Sequence, residues 1–339
     1  MRVYVPARGL RRWSGRVCLL IKTLYGLKQA GQEWNKELDS KLRKKGYSRL
    51  RSDPCVYVWR VDNDFVIITV WVDDLLLFAT TLELIDKAKA DIRSEWEVTD
   101  LGELSKIVRI EITMSPESIA ISQHKYIEYV LDKEKLERCN SVGTLLDPNI
   151  PLEPNPEGSQ GDCSNSYARL LGKLQYIANG TRPDIAYAVN RLASYTANPS
   201  LQHHMVLKRV LRYLSGTRTL GIVYKALPLQ PSFFHGYADT TYGNADDKRS
   251  TSGYVFMAGE GAITWSSKKQ ISTVLSSTEA KYVALSEASC EACWLRNLYT
   301  ELGLLQEDVP TQIQGDNDGS IAMARNPQFH KRSKHIDIR

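Results

Sequence analysis

Two adjacent carboxylates interrupt an apolar stretch early in the chain. Residues 69–79 read TVWVDDLLLFA, where Asp73 and Asp74 separate two runs that are each typical of a β-strand. An isolated buried carboxylate is costly unless it is neutralised, paired or bound to a cation. The stretch therefore predicts a tight hairpin, and two interpretations of its acidic turn stay open. It is either a solvated Asp-Asp turn or a turn that presents hard oxygen ligands to divalent cations.

Neighbouring runs extend this hairpin into a predicted antiparallel meander. Strand-forming runs at 55–59, 65–71 and 75–79 are separated by polar turns. A helix with an apolar stripe at every fourth residue precedes them, and a helix from about Glu83 to Trp96 covers one face. The stripe consists of Ala30, Trp34, Leu38 and Leu42. After it the sequence predicts the hairpin IVRIEITM with SIAIS, and a helix from Gln123 to Leu136.

A change of composition divides the chain after this helix. Prolines and glycines without periodicity between Asp147 and Ser166 predict a linker. Three helical segments follow, and strands return from Phe233 as FFHGYAD, STSGYVFM and AITWSS. A helix from about Ser277 to Leu302, the strand TQIQGD and a short helix complete an order that is typical of an α/β layer.

Composition limits the class of protein and its compartment. A length of 339 residues fits two or three domains. The net charge is +5, and the first fifty residues hold 13 Lys and Arg against 3 Asp and Glu. Such a basic segment suits nucleic acid, although a solvated helix face is the commoner cause of a run such as Lys41, Arg43, Lys44 and Lys45.

The cysteines and apolar runs indicate a reduced compartment and no membrane span. Six cysteines without regular spacing, and without a secretory signal ahead of them, predict reduced thiols and a cytoplasmic or nuclear location. Cys290 and Cys293 form a CxxC, but they lie inside a helical pattern without a second pair, so zinc or redox use is not favoured. The VCLLI run is too short to span a membrane.

A second acidic set lies in the last third of the chain. Asp239 ends a predicted strand, Glu279 lies in the first turn of the long helix, and Asp316 ends the fourth strand. Carboxylates placed in this way converge on a point and suit two divalent ions. Each acid also has a structural alternative, because Glu279 has capping-box spacing from Ser276, Asp239 suits a turn and Asp316 suits a helix cap. A shared metal site is the simpler account.

Eight motifs now identify a resemblance. They are LYGLKQA (24–30), WVDDLLLFA (71–79), TRPDIAYAVNRL (181–192), LKRVLRYLSGT (207–217), STSGYVF (250–256), TWSSKKQ (264–270), LSSTEAKY (275–282) and KHIDIR (334–339). In this order they resemble the reverse transcriptase and ribonuclease H region of copia-type retrotransposon polyproteins. The resemblance covers the chain from about Val17 to its end.

The resemblance implies a polymerase palm in which Asp73 and Asp74 bind Mg²⁺, or Mn²⁺ in its place, for nucleotidyl transfer. It also implies that Tyr25, Gly26 and Lys28 contact incoming nucleotide and template. Gly26 would then allow close approach of the backbone, and Lys28 would contact phosphate.

For the C-terminal part, the resemblance implies a ribonuclease H site. Asp239, Glu279 and Asp316 would bind two Mg²⁺ ions that activate water against the RNA strand of an RNA·DNA hybrid, selected by its 2′-OH groups and shape. The expected partners are thus RNA template, RNA·DNA hybrid and nucleotides, with no membrane. The residues give no indication of an oligomeric state.

The expected fold is multi-domain, combining α+β and α/β parts in four regions. Residues 1–100 are expected to form a palm truncated at its N-terminus, with an antiparallel sheet, and residues 101–146 a thumb-like segment. Residues 147–232 are expected to form the linker and helical connection. Residues 233–339 are expected to form a ribonuclease H-like α/β domain truncated at its C-terminus.

Several departures from the family pattern bear on activity. The family's third palm aspartate precedes LYGLKQA, where this chain has MRVYVPARGLRRWSGR without any acid. Other unusual residues are Trp71 for Tyr, Gly31 for Pro, Val108 and Arg109 in a stretch with Gly, Lys281, and Gly315. The family continues beyond Arg339 to a helix with a fourth nuclease carboxylate, so Asp337 is expected to be structural rather than its replacement.

Three hypotheses follow for this fragment, all with polymerase activity lost. The first is an enzyme that cleaves the RNA strand of a hybrid with Mg²⁺. The second is a non-catalytic nucleic-acid-binding relic, with salt-sensitive binding through residues 1–50. The third is a reading frame without a stable product.

Overall fold

Two units make up the chain, Met1–Leu101 and Gly102–Arg339. The computed structural model describes residues 4–6, 17–19, 23–24, 26–150, 152–156, 164–226, 234–243, 248–305 and 308–325, with the backbone alone at 4–6, 17–19 and 164. The four-region division of the sequence stays a prediction, and each unit is described by itself.

The first unit is an antiparallel sheet with two helices. Its elements are β1 (Tyr4–Pro6), β2 (Val17–Leu19), α1 (Ala30–Lys44), β3 (Ser48–Arg49), β4 (Val56–Val61), β5 (Asp64–Trp71), β6 (Asp74–Ala79) and α2 (Leu82–Arg93). The sheet order is β3-β4-β5-β6, and β1 pairs with β2. The predicted meander and both helices are confirmed, whereas β3 was not predicted.

Alternation along the strands builds the core of this unit. Val66 and Ile68 of β5 are buried and face Leu38 of α1 and Ala88 of α2. This is the one-sided burial that period-2 and period-3.6 patterns produce when a sheet packs against helices. Helix α2 begins at a proper cap, because the Thr81 side chain accepts a hydrogen bond from the backbone N–H of Leu84 at 3.3 Å.

The second unit contains two further sheets and six helices among its described residues. Its elements are β7 (Lys106–Ile107), β8 (Ile110–Met114), β9 (Ser118–Ser122), α3 (His124–Lys133), α4 (Ser164–Gly180), a 3-10 turn (Pro183–Ile185), α5 (Ala186–Ala193), α6 (Leu201–Gly216), β10 (Ile222–Lys225), β11 (His235–Thr241), β12 (Thr251–Ala258), β13 (Gly261–Lys269), α7 (Ser277–Glu301), β14 (Ile313–Gln314) and α8 (Asp318–Arg325).

The sheet orders are β10-β9-β8-β7 and β13-β12-β11-β14. Neighbouring strands are antiparallel except β11 and β14, which are parallel.

The structure differs from the local predictions for this unit at two places. The run IVRIEITM is not one strand, because Val108 and Arg109 form a two-residue turn between β7 and β8 with φ of 45° and 59°. Both values are positive, as in a type I′ hairpin turn, where Gly and Asn are usual. Strand β10 was not predicted, and it pairs with β9 through Ile222 and Ile121. The sheet of the second hairpin thus recruits a strand from beyond the three helices.

Helices α3 to α6 share one apolar core. Ile127 of α3, Leu174 of α4, Leu192 of α5 and Leu211 of α6 are all buried in it. The hydroxyl of Tyr167 within this core donates to the carbonyl of Leu192 at 2.7 Å. That bond meets the rule that a buried polar group needs a partner.

The indole of Trp265 joins the helices to the second sheet. Its Nε1 on β13 donates to the carbonyl of Ala178 on α4 at 2.9 Å. On the other side of the sheet strands, α7 packs against β11 and β12. Phe256 and Ala288 are both fully buried in that layer. None of the helices in the described ranges combines the length and apolar character needed to cross a membrane.

A buried guanidinium explains two of the signature motifs. Arg182 of TRPD is 1% exposed and forms a two-pronged ion pair with Asp184, with Nε–Oδ1 at 2.9 Å and the second nitrogen to Oδ2 at 2.7 Å. It also donates to the carbonyl and hydroxyl oxygens of Thr217, and Tyr213 donates to Asp184. Tyr213 and Thr217 belong to LKRVLRYLSGT. Bidentate geometry of this kind is the strong form of an ion pair.

Replacing Arg182 by Met tests this network. The Asp184 carboxylate would lose its charged partner and keep the Tyr213 hydroxyl, and Thr217 would lose two hydrogen bonds, so the free energy of unfolding should fall by about 3 kcal/mol. Denaturant unfolding measures the loss. Arg169 is exposed on α4, and Arg169→Met should cost no more than about 0.5 kcal/mol. Equal losses for the two variants would contradict the structural role of Arg182.

The same network predicts a dependence on acid. Burial alone would raise the pKa of Asp184, but the hydrogen bonds and charge of Arg182, with the Tyr213 hydroxyl, hold it below its usual value. A lowered folded-state pKa contributes stability above the unfolded pKa of about 4, and that contribution is lost as pH falls through the folded value. The stability difference between wild type and Arg182→Met should therefore shrink below about pH 4. A constant difference from pH 7 to 2.5 would contradict the assignment.

Candidate functional site

The acidic hairpin forms a tight, exposed tip. Trp71 and Asp74 are the last pair of β5 and β6, and Val72 and Asp73 form the two-residue turn. All four residues are exposed, so the expected turn is confirmed and its carboxylates face solvent. Val72 has φ of 58°, the only positive value among the two turn residues, which is the pattern of a type II′ turn.

A tryptophan on α1 holds this turn. The Nε1 of Trp34 donates to the carbonyl oxygen of Val72 at 2.7 Å. The Trp34 ring also meets Trp96 edge to face, with ring centroids 5.8 Å apart. Sequence reasoning assigned Trp34 only to an apolar stripe and missed this role. An indole N–H at the end of such a stripe is a signal that could have indicated a bond to a nearby turn.

The LYGLKQA residues lie just before α1. Gly26 has φ of +89°, and no atom lies within 4 Å of the place where a Cβ would stand. The backbone conformation therefore accounts for this glycine without a ligand. Lys28 is exposed, and Tyr25 lies outside the described residues.

Most of the described cations around α1 are paired with acids of the same unit. Lys41 contacts Glu37 and Glu95, and Arg43 contacts Asp39. Of the 13 basic residues in the first fifty, six lie outside the described ranges. For the run at 41–45, the structure favours the solvated helix face over a surface for nucleic acid.

The acids of the first unit supply an incomplete metal site. Asp73 and Asp74 offer two adjacent carboxylates at a fixed turn, which suits a hard cation. Among the described residues, however, no group of three or more His, Cys, Asp or Glu side chains is placed to hold a metal ion. The residues present therefore do not fit a complete divalent site.

Asp239 lies on β11, and Asp316 lies two residues beyond the end of the parallel neighbour β14. The register of β11 and β14 ends at Tyr237 and Gln314, and each acid stands two residues further on. Strand β11 continues past Asp239 to Thr241, so the turn alternative for this acid is wrong. The cap alternative for Asp316 is wrong too, because Asn317 accepts the hydrogen bond from the Ser320 backbone N–H.

The side chain of Lys281 on α7 bridges these two carboxylates. Its Nζ lies 3.1 Å from an Asp239 oxygen and is hydrogen-bonded to an Asp316 oxygen. The hydrogen bond that Lys281 donates to Asp316 raises the pKa of Lys281, and the same contact lowers the pKa of Asp316. The contact between Lys281 and Asp316 therefore favours the charged form of both groups.

Glu279 has a structural partner at the start of α7. Its Oε2 accepts from the backbone N–H of Leu275 at 2.8 Å, and its own N–H donates to the Ser276 hydroxyl at 3.2 Å. The Ser276 half of the predicted capping box is present, whereas the Glu279 carboxylate accepts from the N–H of Leu275, one residue before the cap residue Ser276. The Lys281 ammonium lies between Asp239 and Asp316, and the third acid, Glu279, is hydrogen-bonded to the backbone at the start of α7. This arrangement does not fit a pair of divalent ions. Asp337 lies outside the described residues.

An open groove of about 450 Å³ runs beside Asp239. The 3-10 turn and α5 form one wall, and β11 to β13 form the other. The residues along it include Asp184, Tyr187, Tyr254, Trp265 and Ser266. The Arg182 network and the Trp265 bond thus position the two walls of one groove.

A cluster of aromatic and basic side chains lies on β7, β8 and α3. The rings of Tyr126 and Tyr129 are stacked with centroids 6.1 Å apart. The guanidinium of Arg109 lies 5.3 Å from the first centroid and 5.9 Å from the second, and the Lys133 ammonium lies 5.6 Å from the second. We name these four residues the tyrosine platform. Sequence reasoning missed it, because it read Arg109 only as an unsuitable strand residue.

The turn that carries Arg109 is held from α4. The Tyr176 hydroxyl donates to the carbonyl oxygen of Val108, and its ring meets Tyr126 edge to face with centroids 5.1 Å apart. Lys106 and Lys125 line the shallow pocket beside the platform. The platform is therefore fixed on one side and open on the other.

Comparisons with known proteins agree on one family. A family model described as reverse transcriptase (RNA-dependent DNA polymerase) matches residues 3–148. The Retrovirus-related Pol polyprotein from transposon TNT 1-94 of Nicotiana tabacum is 36% identical over 332 residues, which is 95% of this chain and 25% of that protein. The corresponding polyprotein from transposon RE1 of Arabidopsis thaliana is 38% identical over 95% of this chain and 22% of its own length.

A shorter relative is matched over most of its length. The transposon Ty5-1 protein of Saccharomyces cerevisiae is 31% identical over 274 residues, which is 79% of this chain and 87% of that protein. Against the Pol polyproteins, by contrast, the chain spans about a quarter of the relatives' length.

Replacing Val72 by Asn tests the strain at the hairpin tip. A β-branched residue with positive φ is costly, and Val72 is 64% exposed, so little burial is lost. The substitution should raise the free energy of unfolding by about 1 kcal/mol, measured by denaturant. Val61 ends strand β4 and is 51% exposed, so Val61→Asn is the matched control and should destabilise. The same sign for both variants would refute the strain.

Proposed function

Because this chain belongs to the family of copia-type retrotransposon Pol polyproteins with a reverse transcriptase domain, we propose that it is a nucleic-acid-binding fragment of that type. Its ligands are RNA template and RNA·DNA hybrid, and its place of action is the cytoplasm or nucleus. Two-metal phosphoryl transfer is the ancestral chemistry of its two acidic sets. Binding without turnover is the function that the geometry supports best.

The observation that carries this proposal is the tyrosine platform. Aromatic rings with an adjacent Arg bind single-stranded bases by stacking, at about 1–3 kcal/mol per base, without demanding a particular sequence. Tyr129 is 46% exposed and is flanked by Arg109 and Lys133 within 6 Å of its ring, so a base can reach one face beside two cations. The cations of the pocket beside it suit phosphates.

The ligand set of the first unit supports the proposal that polymerase activity is lost. Asp73 and Asp74 are the proposed Mg²⁺ ligands of the palm, and among the described residues no third acid joins them in a group that could hold a metal ion. Tyr25, Gly26 and Lys28 stand at the positions that the family motif assigns to template and nucleotide contacts, and we propose them for that role. Two carboxylates alone leave the charge of a two-metal centre unbalanced.

Ribonuclease H activity is the second candidate function. The parallel pair β11 and β14 brings Asp239 and Asp316 together, with Glu279 at the start of the adjacent helix. The groove beside Asp239 offers an open approach for a hybrid. Bridging by Lys281 and capping by Glu279 are the reasons why binding is favoured over this candidate.

Fluorescence anisotropy with a labelled RNA·DNA hybrid that carries a single-stranded overhang tests the binding function. Tyr129→Ala should weaken binding by about 10-fold, since one stacked base is lost, with metal absent throughout. Trp294→Ala is the matched control, because Trp294 is an exposed aromatic on α7 at 39% exposure. Affinity should fall steeply with salt for both proteins. Equal weakening by the two substitutions, or no binding by wild type, would refute the platform.

Turnover assays separate the candidates. We expect neither primer extension on an RNA template nor cleavage of the RNA strand at 10 mM Mg²⁺ or Mn²⁺, at enzyme concentrations that saturate hybrid binding. Gel analysis of end-labelled strands measures both. Cleavage that disappears in Asp239→Asn would establish the nuclease instead. Primer extension would overturn the account of the palm acids.

A further inference from the structure

We propose that the ammonium of Lys281 takes the place of a divalent cation between Asp239 and Asp316, so that this centre binds no Mg²⁺ or Mn²⁺ while Lys281 is present. The inference rests on the proposed nuclease ancestry only for the kind of ion that is displaced. Its geometric basis is independent of that ancestry.

The two carboxylates need a cation because of how the strands place them. Asp239 and Asp316 stand at equivalent positions beyond the last registered pair of two parallel strands, so their charges are held close together by the backbone. Like charges that are held close together repel each other, and a cation between them offsets that repulsion. One oxygen from each acid contacts the same Lys281 nitrogen, which is the place that a shared metal ion would take.

The fold holds the Lys281 side chain in a partly buried position beneath the two exposed acids. Its side chain is 19% exposed, whereas those of Asp239 and Asp316 are 71% and 67% exposed. The neighbouring helix residues Ala280 and Val283 are buried, which anchors the backbone of α7 below the bridge. The ammonium thus lies on the protein side of the acids.

Charge and coordination explain why a divalent ion does not displace this ammonium. Mg²⁺ requires near-octahedral oxygen ligands at 2.0–2.1 Å, and Lys offers hydrogen-bond donors but no acceptor. An incoming dication would meet the fixed positive charge of Lys281, and only the two carboxylates that Lys281 already contacts could bind it. Among the described residues no third ligand stands near enough to complete the set.

Binding of Mn²⁺ alone, measured by electron paramagnetic resonance of free Mn²⁺ on the full chain, tests the proposal. Wild type and Asp239→Asn should give the same isotherm, because the centre holds no ion in either. Lys281→Glu replaces the ammonium by a third carboxylate. It should add one Mn²⁺ site whose affinity is at least 10-fold above that of any site in wild type. That added site should vanish in Lys281→Glu with Asp239→Asn.

Two further variants keep the result interpretable. Lys281→Met removes the ammonium without adding a ligand, and its gain in Mn²⁺ affinity should be smaller than that of Lys281→Glu. Lys281→Met replaces Lys281→Glu in the test if Lys281→Glu fails to fold. Lys225→Met is the matched control. Lys225 lies on β10 of the same unit and forms an ion pair with Glu260, which is in the turn between β12 and β13. It should leave the isotherm unchanged. Circular dichroism melting establishes folding for every variant.

Two outcomes overturn the proposal. One is a wild-type Mn²⁺ site that Asp239→Asn removes. The other is a folded Lys281→Met and a folded Lys281→Glu that bind no more Mn²⁺ than Lys225→Met. Hybrid binding in the presence of EDTA depends on the tyrosine platform and not on this centre, so it should be unaltered in both Lys281 variants. Failure of hybrid binding would therefore refute the proposed function and leave this inference standing.

Discussion

The buried guanidinium of Arg182 is the interaction on which the larger unit depends. A charge with 1% exposure is tolerated only when its donors are met, and here Asp184 and Thr217 meet them. These contacts tie the 3-10 turn to the end of α6 and set the wall of the groove opposite β11. The signature motifs TRPD and LRYLSGT thus have a structural cause, which is different from a direct catalytic one.

Periodicity predicted the local elements well, because it reports one-sided burial. The apolar stripe of α1 and the alternation in β5 indicated a helix and a half-buried strand, and both exist. Strand β10 was missed, since it has four residues and its partner among the described strands is β9, about a hundred residues earlier in the chain. The turn at Val108 and Arg109 was missed because neither is a usual residue for positive φ.

The sequence predicted which acids belong to each candidate site, but not the contacts that their side chains make. The spacing of Asp73 and Asp74 indicated an exposed turn, and the turn exists. For Glu279 the capping-box spacing indicated the bond from its N–H to the Ser276 hydroxyl, but not the bond that its carboxylate accepts from Leu275. Nothing in the sequence near Lys281 specifies that its side chain reaches Asp239 and Asp316, since that contact depends on the parallel register of strands 77 residues apart. The tyrosine platform depends on tertiary packing in the same way.

Each acidic set is therefore described by what compensates its charge. At the hairpin tip, both carboxylates are on exposed residues, and Trp34 fixes the backbone of the turn. At the ends of β11 and β14, a lysine supplies the positive charge that a metal-dependent nuclease takes from its ions. The proposed base stacking on Tyr126 and Tyr129 needs neither arrangement. The proposed binding and the proposed metal ligation lie on different residues and different elements of the fold, so loss of one does not require loss of the other.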